Sequence, residues 1–174
     1  MKYCPYDATL LVEKDFEGKK HMACPKPKCE FVNWNGPLHV VAVIIPHQDG
    51  LAMVKRGVKP IGKWCFPCGF IDEHESAYNA AIRETYEESG LVTVPNKLVG
   101  TFCPTPAKNQ NINVYVSRVV GGVMVAGSDS TDVGVFNKER RPDSFAFEFH
   151  ERLYDAYFDG RIKLDDEGSV LISI

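Results

Sequence analysis

Between Ser76 and Gly90 the chain carries three glutamates, Glu84, Glu87 and Glu88, inside a segment marked at both ends as a helix. Ser76 suits the N-cap position, and Gly90 suits the first residue past the C-terminus. Spacings of i, i+3 and i+4 put all three carboxylates on one helix face. Ala77, Ala80, Ala81 and Thr85 form a narrow face of small residues that can pack close to a sheet. Like charges at these spacings repel and destabilise a bare helix. A hard divalent cation bound through oxygen offsets that repulsion, and the adjoining Arg83 can grip a carboxylate in a bidentate contact. Taken alone, Glu-x-x-Glu-Glu is better read as a solvated acidic face, which most charge runs are.

The rest of the chain is mostly strand. Leu38 to Ile45 is a nearly continuous β-branched run, as expected of a strand buried on both faces. A turn at Pro46 to Gly50 leads to a strand over Leu51 to Arg56. Gly57 to Ile71 reads as irregular, and further strands are predicted at Lys97 to Thr101, Ile112 to Val120 and Thr131 to Phe136. Pro142-Asp143-Ser144 opens a second helix, with Phe145, Phe149, Leu153 and Tyr157 at four-residue spacing and Gly160 after its end. Ahead of all this, Met1 to about Gly36 holds three of the six cysteines and two short alternating segments, Thr9 to Lys14 and Lys19 to Met22. The expected fold is α+β, layered as an α/β/α sandwich, with a β-rich N-terminal subdomain over residues 1–36 and the main domain over 37–174.

Several functional classes are disfavoured. Met1 to Asp7 has no apolar stretch behind its lysine and does not read as a signal peptide. Val40 to Ile45 is far too short to cross a bilayer. A net charge of −3 without a long basic block weighs against a non-specific nucleic-acid binder. The expected setting is a reducing cytoplasm, in which the cysteines are metal ligands or core residues rather than disulfides.

The segment from Gly69 to Leu91 resembles the Nudix box: Gly, five residues, Glu, seven residues, then Arg-Glu-apolar-x-Glu-Glu-x-Gly-apolar. Gly69, Glu75, Arg83, Glu84, Glu87, Glu88 and Gly90 fill its fixed positions, and Leu91 its last apolar one. At about 6% per residue type, a chance match is on the order of one in a million, which reverses the solvated-face reading. Thr85 stands where an apolar residue is usual. Gly62-Lys63-Trp64-Cys65-Phe66-Pro67-Cys68-Gly69 resembles the family's Gly-x-Trp-x-x-Pro-Gly-Gly lead-in, with Cys68 in place of a glycine. If that position needs φ > 0, a cysteine there is strained. Cys65-x-x-Cys68 mimics a metal or redox motif, but it overlays the lead-in and is read as coincidental.

Cys4-Pro5-Tyr6-Asp7, Cys24-Pro25 to Cys29 and Phe31 to Pro37 resemble the zinc ribbon that precedes some Nudix domains, in the group acting on FAD, NADH and ADP-ribose. Both knuckles are degenerate. Zinc accepts carboxylate or imidazole, so Cys4, Asp7 (or His21), Cys24 and Cys29 can still build a tetrahedral site; the alternative is a metal-free ribbon held by packing. Asp129-Ser130-Thr131-Asp132 and Asp143-Ser144-Phe145-Ala146-Phe147 also resemble segments of that group. The other histidines, His39, His47, His74 and His150, show no ligand spacing and are expected in surface or satisfied polar roles.

What the resemblance implies is attack of water on a phosphorus of a P–O–P bridge, with Mg²⁺ or Mn²⁺ as cofactor. By carry-over, Glu84, Glu87, Glu88 and the Gly69 carbonyl are its ligands, and Glu75 and Arg83 orient the loop and those ligands. The general base is Glu84, with Asp132 or Asp129 as the alternative. Lys55, Arg56, Lys59 and Lys63 are candidate phosphate contacts, and Phe145 or Phe147 can stack on a purine or flavin. The expected partner is a small nucleotide, with a homodimer common in the similar family. Two other readings are removal of a 5′ cap or pyrophosphate from RNA, and a non-catalytic nucleotide sensor. Sensors usually lose box glutamates, and this box is complete.

Overall fold

The turn at Glu17-Gly18 joins β1 (Val12–Phe16) to β2 (Lys19–Ala23) as an antiparallel hairpin in a computed structural model that describes residues 1–104, 108–164 and 170–172. Both turn residues have positive φ, 55° and 81°, the geometry that matches the natural twist of a hairpin. The Asp15 carboxylate accepts from the Gly18 N–H and closes the turn. β3 (Val32–Asn33) pairs with β2, and a small core of Cys4, Leu11 and Cys24 lies among Met22, Cys29 and Phe31. These elements make up one compact unit, Met1–Pro37.

The second unit, Leu38–Ile174, contains β4 (Leu38–His47), β5 (Gly50–Arg56), β6 (Trp64–Cys65), β7 (Cys68–Phe70), α1 (Ala77–Ser89), β8 (Leu91–Phe102), β9 (Gln110–Gly122), β10 (Ser130–Phe136), α2 (Glu148–Phe158), β11 (Ile162–Leu164) and β12 (Val170–Ile172). The main sheet runs β10-β5-β4-β9-β8, with β6 on β5 and β7 on β4. The pairings are antiparallel except β4 with β9, which is parallel. β4 explains the layering. Val41, Val43 and Ile45 pack with Ala80, Ala81 and Leu91 on the α1 side, while Ala42 and Ile44 pack with Phe66, Leu153 and Tyr154 on the α2 side. Successive side chains of a strand point to opposite faces, so a continuous apolar run is what a sheet covered on both sides requires. The architecture is the expected α/β/α sandwich.

Three elements differ from the sequence reading. The segment expected to be irregular contains β6 and β7, each too short to show a period. The strand expected from Lys97 begins at Leu91, directly after the helix. The last helix starts at Glu148, not near Pro142. Phe145 forms a parallel bridge with Trp64, and Trp64 N–H and Ala146 N–H bond Ser144 and Trp64 carbonyls, so residues 144–146 are drawn into extended pairing. Their four-residue spacing with α2 reflects a shared apolar side, since Phe145 packs on Tyr154 at 5.4 Å.

Candidate active site

α1 is built as its ends indicate. The Ser76 hydroxyl accepts from Asn79 N–H, and Gly90 takes φ 70° with its N–H on the Tyr86 carbonyl. Ala80, Ala81 and Thr85 are fully buried, so the helix lies close to the sheet and turns its glutamates toward β7. At Gly69, on β7, a Cβ would stand 2.1 Å from Glu84 Oε1. Only glycine therefore lets the Glu84 carboxylate rest against that backbone.

Arg83 is the cation at the centre of the cluster. Its Nε and Nη2 donate to Glu75 Oε1 (2.9 Å) and Oε2 (2.7 Å), a bidentate pair, and Nη2 also reaches the Phe70 carbonyl. Its Nη1 donates to Glu84 Oε1 (2.7 Å) and Glu87 Oε2 (3.1 Å). Glu75 also accepts from Asp72 N–H, which closes the loop between β7 and α1. Arg83 holds the Glu75 carboxyl below its usual range. Burial raises the Glu84 carboxyl despite Arg83 beside it. Glu88, 5% exposed, accepts from Cys68 N–H at 3.0 Å, and burial pushes its carboxyl up to about 7.

The donor set fits a hard divalent cation. Carboxylate oxygens on one helix face stand beside the Gly69 backbone, and a cation would offset both their repulsion and the cost of burying Glu88. The three carboxylates are not as tightly gathered as the chain's sulfur clusters, because Arg83 draws Glu84 and Glu87 while Glu88 turns to β7. The loop before β10 packs on the end of α1, with Gly127 N–H on the Glu88 carbonyl and Ser128 N–H on the Glu87 carbonyl. Asp129 follows, close enough for its charge to raise Glu88 further. Asp132 lies on β10, and its carboxylate accepts from Val133 N–H.

On the α2 side a cavity of about 950 Å³ begins at Cys68, Gly69 and Phe70. Its charged wall includes Arg56, Lys59, Lys108, Arg152 and Arg161, with Glu148 as the acid. Phe147 lies within it, with the Arg56 guanidinium 5.1 Å and the Lys108 ammonium 5.4 Å from its ring. The Arg56 Nε is buried without a partner. Of the predicted substrate contacts, Arg56, Lys59 and Phe147 line this cavity. Lys55 instead stands over Trp64, Lys63 is exposed outside the lining, and Phe145 is half-buried against the core. Lys108, Arg152 and Arg161 carried no sequence signal, since isolated cations in loops and on a helix surface look like ordinary solvated charge.

In the N-terminal unit, Cys4, Cys24 and Cys29 bring their sulfurs within 4.8 Å of one another. That soft donor set fits zinc. Asp7 stands beside Cys4, with its carboxylate oxygens already engaged: Lys26 Nζ takes Oδ2 at 2.7 Å and Thr9 N–H takes Oδ1. His21 stacks edge-on to Trp34 at 4.9 Å. The strain expected at Cys68 is absent, because it lies in regular strand and its φ is not positive.

The NUDIX domain family model matches residues 37–170. An ADP-ribose pyrophosphatase of Methanocaldococcus jannaschii is 30% identical over 126 residues, 70% of this chain and 73% of that protein. A mouse ADP-sugar pyrophosphatase is 31% identical over 78 residues, 44% of this chain and 36% of that one. The crystal structure of a NUDIX hydrolase from Nitrosomonas europaea superposes with a TM-score of 0.84 at 23% identity, covering 99% of this chain and 97% of that one.

Proposed function

The chain belongs to the Nudix family and is a pyrophosphohydrolase, and from that premise we propose that it cleaves a nucleoside diphosphate joined to a second group. The substrate is of the ADP-ribose, NADH or FAD type, and the products are AMP and a second phosphorylated fragment. The observation that carries this reading is the continuity of the Gly69–Glu84 contact with a cavity that is cationic along one wall and aromatic at Phe147. The archaeal relative's name, ADP-ribose pyrophosphatase, supports the same class.

In this reading Arg56, Lys59 and Lys108 meet the diphosphate, and the orphaned Arg56 Nε gains an acceptor from it. Phe147 offers a ring face to the base. Glu84, Glu87, Glu88 and the Gly69 carbonyl would hold Mg²⁺ or Mn²⁺, which would supply charge to polarise the phosphoryl oxygens and support the leaving phosphate. Arg83 and Glu75 keep Glu84 and Glu87 in place through the bonds described above. Glu84 takes the proton of the attacking water, with Asp129 or Asp132 as the alternative base. The new bond is from water oxygen to phosphorus, and the P–O bond of the bridge breaks, leaving a phosphate on each product. Cys4, Cys24 and Cys29, with Asp7 as the fourth donor, would hold a structural zinc in the same reading. The setting is cytoplasmic.

Initial rates test the substrate class. ADP-ribose, NADH and FAD are compared with 8-oxo-dGTP, a diadenosine polyphosphate, and a 5′-triphosphorylated or NAD-capped short RNA. One of the first three is expected to lead. An RNA or a nucleoside triphosphate ahead of all three by about tenfold or more in kcat/KM overturns the substrate class.

A further inference from the structure

The fold brings a second set of sulfur and nitrogen donors together inside the catalytic unit. Cys65 ends β6, Cys68 begins β7, and His150 lies in the first turn of α2. Their ligand atoms all lie within 4.8 Å of one another, the same closeness as the N-terminal cysteines. Cys65 is fully buried and His150 is 2% exposed. The His150 Nδ1 accepts from Phe66 N–H at 3.1 Å, in the loop between the two cysteines. That bond leaves Nδ1 unprotonated and facing the loop that carries both thiols; an ion bound there would take the place of Phe66 N–H as the partner of that nitrogen. Cys68 and His150 also line the cavity, so the group is reachable from it. Cys-x-x-Cys spacing alone was uninformative because it overlaid a family segment. The third donor, 82 residues after Cys68, changes its meaning.

We propose that Cys65, Cys68 and His150 bind a zinc-class ion in the wall of the cavity, separate from both the N-terminal cysteines and the box carboxylates. Two thiolates and a neutral imidazole around a divalent ion sum to zero charge, as a buried site requires. The two thiol protons leave to solvent on binding. Soft sulfur donors select Zn²⁺ over Mg²⁺, so one unit can hold both kinds of ion without exchange. Three side chains leave a fourth position, which a solvent or ligand atom from the cavity can fill. The ion would tie the β6–β7 loop, which leads directly into Gly69, to the start of α2.

Co²⁺ is the probe, titrated into the metal-free full chain under a phosphine reductant. Thiolate-to-cobalt charge transfer and the visible bands of tetrahedral Co²⁺ report the site. Cys68→Gly places glycine in a regular strand, and His150→Gln keeps an acceptor for Phe66 N–H. Each is expected to lower thiolate-bound Co²⁺ by one ion per chain. Cys24→Ser is expected to leave this ion in place, and excess Mg²⁺ is expected not to displace it. In the wild-type chain, Zn²⁺ should slow alkylation of Cys65 and Cys68, read by peptide mapping, and leave the exposed Cys103 unchanged. Unchanged stoichiometry in folded Cys68→Gly and His150→Gln overturns the proposal. If neither variant folds, equal alkylation of Cys65 and Cys68 with and without Zn²⁺ overturns it.

Discussion

The two faces of the central sheet are built from different material. On the α1 side, alanines and a threonine bring the helix close, and two of its acids, Glu84 and Glu87, are clamped by one arginine while Glu88 is held by Cys68 N–H. On the α2 side, Phe145, Phe149, Leu153 and Tyr154 stand the helix off with bulky side chains, leaving a cavity edged with cations and Phe147. Close packing suits a group of carboxylates whose spacing must hold to within a fraction of an ångström. A looser aromatic wall suits a ligand that must enter and leave. In our reading, hydrolysis belongs to the first face and recognition to the second, with Gly69 where they meet.

The sharpest way to break this division is to remove charge from α1 without changing its shape. Glu87→Gln and Glu88→Gln should each lower kcat by at least about a hundredfold with the circular dichroism melt preserved. Glutamine at Glu88 keeps an oxygen for Cys68 N–H. Near wild-type turnover in both folded variants would remove the hydrolytic role from this face. Next in size is the junction. A methyl group at Gly69 collides with the Glu84 carboxylate, so Gly69→Ala should cost roughly ten- to a hundredfold in kcat. An unchanged kcat there would show that the Glu84–Gly69 approach is incidental.

The same contrast governs what was legible in the sequence. Glu84, Glu87 and Glu88 could be found because a helix converts fixed spacing into a shared face, and because Gly69, Glu75 and Arg83 stand at fixed distances along the chain. Both caps of α1 and the two-sided burial of β4 followed from local chemistry in the same way. The cavity could not be found so. Arg56 and Phe147 were candidates on their own, but that they face Lys108 and Arg161 across one cavity depends on tertiary packing, and the four have no common period. The onset of α2 was misplaced for a similar reason: residues 144–146 pair with Trp64, far away in sequence. His150 gave no sign of its neighbours Cys65 and Cys68 because helix and loop are joined only by the fold.

Two smaller effects sharpen the recognition side. Phe147→Ala should raise KM for ADP-ribose by about tenfold while leaving kcat nearly unchanged, since it removes a ring face and two cation contacts. A fall in kcat with constant KM would move Phe147 to the hydrolytic side. The least effect near neutral pH is expected from His150. Burial lowers its pKa from 6.5 to about 3, so between these values the unfolded chain binds the extra proton. Stability from keeping this ring neutral is therefore complete above about 6.5 and is lost as pH falls toward about 3. In the metal-free protein, His150→Gln should flatten that acid limb of the melting temperature. An identical acid limb in the variant would show that another group controls it.

In our reading the chain is a divalent-metal pyrophosphohydrolase whose carboxylates serve cleavage of a diphosphate beside Gly69. The most direct test is ADP-ribose turnover by the purified chain, first in chelator and then with Mg²⁺ or Mn²⁺ added back, with products separated by chromatography. No turnover is expected in chelator, and either ion should restore it to give AMP and ribose 5-phosphate. Equal turnover in chelator, or release of a product other than a pair of monophosphates, would contradict it.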